Sequence, residues 1–499
     1  MPKITLSMIV KNEEKYLREC LESVRGIVDE IVLVDTGSSD NTINIAKEFH
    51  AKVYNYQWAN NFSAARNYAL NKSTGDWILY LDADERLTGK SANELKDITT
   101  KDDLIGFRCI VNSIDEVHGK PNFMKYTRLF HNNPNIRFNG RIHEQIDDSL
   151  LENRYKICES EIEIIHIGYN VQDGDLKNKA KRNLEILKDE YRKNKSSYNA
   201  YQLANTYTTL DEYDKANKYY KLSIEKNNLN KEYKAFAYLN LSGFEYKKHN
   251  LDAAVGYMEK GINDDPTNPL LNLLASEIFF RMNRIDESFK YCKKALIENK
   301  KVLSILNKSS LSIGLKNETI ISKGIYYSIL SSNNNELNYF LDVLRKENSQ
   351  LSEIIKKLIN DQKINENELN DLIPLISNNN LDMFLSLFEK YYEKRLSLEL
   401  LKKIYGSFMN NSKFLKSLGL LYLENNFLNE AEKSFEESLE LKEKDPSSVF
   451  YLVSVYLQDN QLEKIPALLI KAEKEFGNIP EFSSKFEILK QKLNIIFAK

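Results

Sequence analysis

Up to about residue 85 the sequence alternates compact apolar runs with stretches of helical spacing, a rhythm that few folds can accommodate. Ile4–Val10 and Glu30–Asp35 are short runs rich in β-branched residues, as expected of strands buried on both faces. Ala51–Tyr54 and Trp77–Leu81 continue the series. Between them Tyr16, Leu17, Cys20, Leu21 and Val24 recur at helical spacing after Asn12, which reads as an N-cap. A second helix is expected to begin at Ser38 to Asp40 and to carry Ile43, Ala46 and Phe49; a third follows Asn61 and carries Ala65, Tyr68 and Ala69. Strand, helix and strand in repetition give a parallel, doubly wound sheet.

From about Leu176 the period is helical throughout and glycine becomes sparse. The segments ending in Tyr213-Asp-Lys-Ala216, Leu251-Asp-Ala-Ala254 and Ile285-Asp-Glu-Ser288 align at steps of 38 and 34 residues. Leu428 with Ala431 recurs as Leu462 with Ile465, and Pro446 as Pro480, each 34 residues apart. This interval resembles the tetratricopeptide (TPR) repeat, in which small residues let paired helices approach. The match rests on Ala204, Tyr207, Ala216 and Tyr220, and on Leu418, Gly419, Tyr422, Ala431 and Phe435. Between about Lys300 and Asn411 the Asn-rich breaks at Ser332–Asn335 and Asn378–Asn380 interrupt it, which suggests degenerate repeats or a helical spacer.

Composition narrows the function classes. Lys plus Arg number 70 and Asp plus Glu 72, for a formal charge of −2. That balance argues against binding nucleic acid through bulk charge. No run reaches the roughly 18 consecutive apolar residues of a membrane span, and the short run Ile4–Val10 followed by Lys11 does not suggest a secretory signal. Cys20, Cys109, Cys158 and Cys292 form no CxxC pair, so neither a disulfide framework nor a zinc ribbon is indicated, and a cytoplasmic setting is expected. Walker, GxGxxG and Ser/His/Asp patterns are missing, so NTPase, dehydrogenase and hydrolase chemistry finds no support.

In an open parallel sheet the ligand crevice lies beyond the carboxyl ends of the strands. If the strand order is 3-2-1-4, Asn12 after the first strand, Asp35 at the end of the second, and Asp82 with Asp84 after the fourth converge on one edge. Two carboxylates one residue apart at a strand end suit a hard divalent cation, which keeps waters and takes diphosphate oxygens. An acidic turn capping the next helix is the plainer alternative, and the preceding Gly75–Leu81 run favours the cation.

Four stretches, Leu6-Ser-Met-Ile-Val-Lys-Asn-Glu13, Ile31-Val-Leu-Val-Asp-Thr-Gly-Ser-Ser-Asp40, Ser63-Ala-Ala-Arg-Asn67 and Asp82-Ala-Asp84, follow in an order and spacing that resemble family 2 glycosyltransferases of the GT-A fold. The resemblance covers roughly the first 170 residues. With appended TPR-like repeats it is similar to bacterial enzymes that glycosylate proteins or peptides, including flagellin modifiers and bacteriocin S-glycosyltransferases. The fold class implied is an α/β N-terminal GT-A domain, Rossmann-like with a mostly parallel sheet, followed by an all-α TPR-like superhelical domain. The expected boundaries are 1–175 for the GT-A domain, 176–299 for TPR-like repeats, 300–411 for degenerate repeats or spacer, and 412–499 for C-terminal TPR-like repeats.

The resemblance also implies roles. Asp35 would bind the nucleoside, uridine by preference, with Asn12 on the same edge, and Arg66 would lie near the nucleotide or its phosphates. Asp84 would bind Mn2+ or Mg2+ directly, Asp82 would contact ribose or a metal-bound water, and His166 would complete the metal shell. Thr36 departs from the pattern, since many members carry a second acidic residue there. Glu144, after the Gly140 loop, is the candidate base that accepts the acceptor's proton, and His143 is a second-ranked metal ligand. His50, His118, His131 and His249 receive no role. The chemistry implied is inverting transfer from an α-linked UDP-sugar, UDP-GlcNAc or UDP-glucose, through an oxocarbenium-like transition state. The acceptor would be a protein or peptide Ser, Thr or Cys held by the repeats. Alternatives are a lipid-linked or polysaccharide acceptor with the repeats forming a homodimer, and a non-catalytic interaction protein. Exposed tyrosines such as Tyr201, Tyr219 and Tyr246 could contact peptide, but packing within the repeat core is the expected reading.

Overall fold

Every residue of Ile4–Val10 except Ile9 is buried, so this strand must be covered on both faces. In the computed structural model it is β1, the second layer of a three-layer arrangement. The structure describes residues 2–100, 104–113, 122–167, 173–225, 228–303, 311–360, 366–441 and 443–497; His118, and the Gly168 and Tyr169 that follow His166, lie outside them. The chain divides into two compact units. One comprises Met1–Phe244, Ala254–Leu274 and Ile297–Lys316, the other Glu245–Ala253, Ala275–Leu296 and Asn317–Lys499.

In the first unit β1 (Ile4–Val10), α1 (Leu17–Ser23), β2 (Glu30–Asp35), α2 (Thr42–Glu48), β3 (Lys52–Asn55), α3 (Phe62–Lys72) and β4 (Trp77–Tyr80) alternate as expected. They are followed by β5 (Glu85–Leu87), α4 (Gly89–Ile98), β6 (Ile105–Ser113), β7 (Asn122–His131), α5 (Asp147–Glu152), β8 (Lys156–His166), α6 (Asp173–Lys193) and α7 (Ser197–Thr209), and much later by β9 (Leu311–Ile313). The sheet runs β3-β2-β1-β4-β7-β6-β8-β5, with β9 on β7, so the first four strands take the expected 3-2-1-4 order. Those four pair parallel. Beyond β4 the sheet is mixed: β6 with β8 is parallel, while β4–β7, β5–β8, β6–β7 and β7–β9 are antiparallel.

Leu6, Met8 and Val10 on one face of β1 pack with Leu17, Leu21 and Val24 of α1 and with Ile45 and Ala46 of α2. On the opposite face of the sheet Val32 and Val34 meet Ala69 of α3. Asn61 caps α3, its side chain accepting from Ala64 N–H at 3.0 Å, as the sequence suggests. Asn12 does not cap α1. Its backbone takes a left-handed φ of 57° and the cap position falls on Tyr16, because Asn12 instead links the first two strand ends. A buried clamp holds the other edge: the Glu30 carboxylate accepts from Thr5 Oγ at 2.5 Å, Thr74 N at 2.7 Å and Lys52 Nζ at 2.7 Å, joining β1, β2, β3 and the turn before β4.

Helical hairpins follow in both units. Asp211, His249, Asn283, Ser332, Asn426 and Asn460 all have left-handed φ and each stands two residues before its hairpin's second helical segment. The Asn-rich break at Ser332 is therefore one more hairpin turn, between Asn317–Leu330 and Asn334–Glu347. In the second unit a Cβ on Gly324 would come within 2.4 Å of the Phe340 ring, and one on Gly419 within 2.7 Å of the Phe435 ring. These two glycines are required by close helix approach, at equivalent positions of their hairpins.

Candidate active site

The turn after β4 begins at Asp82. Its N–H donates to Glu85 Oε2 at 2.9 Å and its carbonyl accepts from Glu85 N at 3.0 Å, so the backbone closes on itself and presents two carboxylates beyond the strand. Asp82 Oδ1 accepts from Arg66 Nη2 at 2.8 Å, and Glu144 Oε1 accepts from Arg66 Nε at 2.6 Å. One buried guanidinium on α3 thus joins two acids that lie far apart in sequence. Its carbon stands 5.1 Å from the Tyr80 ring centre and 5.7 Å from that of Phe138. Arg128 lies 4.5 Å over Tyr80 and pairs with buried Glu85 at 2.6 Å. Burial lifts the Tyr80 phenol to about 12 despite those cations.

Asp82 lies in a crowded crevice, although 39% of its side-chain surface stays open to solvent. Crowding raises its proton affinity, but Arg66 and then Arg128 outweigh it and bring the carboxyl down to about 2. Asp84 turns elsewhere: its Oδ2 lies 3.3 Å from His166 Nε2 at the end of β8, whose Nδ1 is 3.1 Å from Ser113 Oγ. Burial works against the imidazolium, yet the Asp84 hydrogen bond and the charges of Asp84, Glu85 and Asp82 raise the His166 pKa overall.

The expected metal trio is thus divided, with Asp82 committed to Arg66 and Asp84 facing His166. Among the described residues no group of three or more His, Cys, Asp or Glu side chains gathers closely enough to hold a metal alone. The Asp84–His166 pair still suits a divalent ion that keeps waters and substrate oxygens, since adjacent ligands of an octahedral ion at about 2.1 Å stand about 3 Å apart. The Ser113 contact fixes the far ring nitrogen, as ligating histidines require.

At the β1 and β2 ends, Asn12 N–H donates to Ser38 Oγ at 2.9 Å and Asn12 Oδ1 accepts from Ser39 N at 2.8 Å. Buried Asp35 accepts from Gly37 N and Ser38 N, both at 3.1 Å, and so braces its own turn. Thr36, the position that departs from the acidic pattern, is buried and donates its hydroxyl to Val10 O at 3.0 Å. His143 has a left-handed φ of 52° and lies exposed on the loop beside Glu144. Glu13 is a site residue that the sequence reading passed over. Burial first, and then the Asp84 charge, push its carboxyl up to about 7. It stands within the first quoted motif, directly after Asn12, where a polar residue past a buried strand was the available signal.

An open sheet whose carboxyl edge gathers Asp35, Asp82, Asp84 and Arg66 in this way is the architecture of a sugar-nucleotide transferase. Residues 5–154 match the family model described as Glycosyl transferase family 2, and this part of the chain is a family 2 glycosyltransferase domain. The chain is 43% identical over 151 residues to the TPR repeat-containing protein Synpcc7942_0270 of Synechococcus elongatus, covering 30% of this chain and 37% of that one. It is 28% identical over 193 residues to the SPbeta prophage-derived glycosyltransferase SunS of Bacillus subtilis, covering 38% and 46%. It is 30% identical over 161 residues to the uncharacterized glycosyltransferase RP128 of Rickettsia prowazekii, covering 31% and 54%. The chain spans less than half the length of the first two.

Proposed function

We propose that this chain is an inverting, metal-dependent glycosyltransferase that moves N-acetylglucosamine or glucose from a UDP-sugar to a Ser, Thr or Cys side chain of a protein or peptide held by the helical repeats. The observation that carries this is the pairing of Asp84 with His166 beside a Glu144 fastened by Arg66, all at the carboxyl edge of a family 2 domain. Asp84 and His166 would hold Mn2+ or Mg2+, which when bound supplies positive charge to the departing diphosphate.

The chain's own residues do the rest. Asp35 and Asn12 take the nucleoside end, and the solvent-open part of Asp82 takes the ribose. Glu144 accepts the proton from the attacking hydroxyl or thiol as its oxygen or sulfur bonds to the anomeric carbon and the bond to UDP breaks on the opposite face. Arg66, anchored to Asp82, keeps Glu144 in place for that transfer. Stacked helical pairs offer surfaces suited to extended peptides, which supports a polypeptide acceptor. Among the described residues no helix is long and apolar enough to cross a membrane.

Two measurements test this. Hydrolysis of UDP-N-acetylglucosamine or UDP-glucose should need divalent metal and fall at least a hundredfold in Asp84→Ala; full metal-dependent turnover in that variant would remove the assignment. Co-expression with candidate acceptor proteins should add the mass of one hexose or N-acetylhexosamine, whereas transfer only to lipid-linked sugars would refute the polypeptide acceptor.

A further inference from the structure

The loop that carries Glu144 is held from two sides. Its stem is closed by a reciprocal pair of backbone hydrogen bonds between Asn139 and Gln145, each 2.9 Å. Gly140 with φ of 90° and His143 with φ of 52° make the tight bend inside that closure. On the α3 side Asn67 brackets Phe138, its Oδ1 accepting from Phe138 N at 2.8 Å and its Nδ2 donating to Phe138 O at 3.0 Å. Phe62 N–H donates to Arg141 O at 2.9 Å, and Ser63 Oγ donates to Gly140 O.

The tip of the loop belongs to the helices that follow the sheet. Ile142 is only 9% exposed and is counted within the core of those helices, with Leu184 and Leu187 of α6 and Tyr201 and Ala204 of α7. Arg141 Nη1 pairs with Asp189 of α6 and lies 3.8 Å from Glu190. Tyr198, in the first turn of α7, hydrogen-bonds the Gln145 side chain, and the Glu144 charge reaches its phenol. Three consecutive anchors thus flank Glu144: Arg141 and Ile142 before it, Gln145 after it.

We propose that α6 and α7 are part of the catalytic apparatus, and that through Arg141, Ile142 and Gln145 they set the position of Glu144. The inference rests on the assignment of Glu144 as the base. Arg141, Ile142 and Gln145 are positioning residues, since none is placed against substrate. The donor's nucleoside and metal ends lie at the β1, β2, β4 and β8 edges, so loosening this loop displaces the proton acceptor and leaves donor binding alone. A misplacement of about 1 Å in a reacting group costs up to about a hundredfold in rate.

The test compares full-length Ile142→Ala and the α6 double variant Asp189→Asn/Glu190→Gln with wild type and with Glu144→Gln. Readouts are kcat for hydrolysis of whichever of UDP-N-acetylglucosamine and UDP-glucose the wild type turns over, the Kd for UDP with Mn2+, and the melting temperature. Both loop-anchor variants should lose about tenfold or more in kcat with unchanged UDP Kd and an unchanged melting temperature for the α6 variant, and Arg141→Lys should retain more turnover than Arg141→Met. Wild-type kcat in the α6 variant, beside an inactive Glu144→Gln, would overturn the positioning role while sparing the base. A fall in kcat matched by lost UDP binding would also overturn it. A fully active Glu144→Gln, or a wild type that turns over neither donor, would remove the base assignment and this inference together.

Discussion

Arg66 binds two carboxylates with one guanidinium, and removing it would leave a mostly buried Glu144 without its partner. Arg66→Met is expected to destabilise the protein by about 2–4 kcal/mol, read as a lowered denaturation midpoint at unchanged slope; an unchanged midpoint would mean the acids find other partners. Glu30 makes the clearest pH prediction. Partial burial raises its carboxyl, but the bonds from Lys52, Thr5 and Thr74 more than reverse this and bring it from 4.5 to about 2. Its folded pKa is depressed, so its contribution is complete above about pH 4.5 and disappears as pH falls toward 2. Glu30→Gln should therefore be less stable than wild type by about 2–3 kcal/mol at pH 6, with the gap closing by about pH 2 in denaturation at both pH values. At this scale the acids were legible because each follows an apolar strand, whereas their partners were not. Arg66 meets Glu144 across 78 residues and Asp84 meets His166 across 82, and no local pattern records such pairings. Whether those acids play the assigned roles is a matter for the variants above.

Among the elements, β1 to β4 could be read because strands buried on both faces are continuous apolar runs. β6 and β8 were harder. Arg108 and Asn112 interrupt the first, and Glu159, Glu161 and Glu163 alternate through the second, so neither gives a continuous run. Asn12 looked like a cap from composition alone, yet tying Ser38 and Ser39 outweighed capping α1. In the helical part the hairpin turn is marked by its left-handed residue, usually Asn, Asp or His, before the second helix. That signal places a hairpin at Ser332, inside the stretch whose register the 34-residue period does not reach, and it gives His249 a structural place where the sequence offered none. His249 Nδ1 there accepts from Arg281 Nη2 at 2.6 Å. Helical glycines supply a test with opposite signs. Gly324→Ala should destabilise by about 1–3 kcal/mol, because the methyl meets the fully buried Phe340 ring. Gly406→Ala, with open space around the new atom, should stabilise by up to about 1 kcal/mol through helix propensity. Thermal melts of the two variants moving in the same direction would contradict the packing argument.

At the scale of the whole molecule, the change of period near residue 176 is a change of secondary structure and not the edge of a compact unit. The first unit continues through α6 and α7 and takes in stretches as distant as Ile297–Lys316. β9 pairs its Leu311–Ile313 with Met124–Asn122 of β7, so the sheet recruits a strand from far along the helical part. A three-residue strand has too few side chains to show a period, which is why the sequence concealed it. Ile142 makes the same point from the other direction, since an apolar residue within a polar loop is explained only by the α6 and α7 core that receives it. The account depends on a cation held by Asp84 and His166 that in turn binds a nucleotide diphosphate. Calorimetric titration of UDP into the full chain tests this most directly, with Mn2+ and with chelator, in wild type, Asp84→Ala and His166→Ala. One-to-one binding that requires Mn2+ and is lost in Asp84→Ala and at least tenfold weaker in His166→Ala is the predicted result, and UDP binding equally tight under chelation or in Asp84→Ala would contradict it.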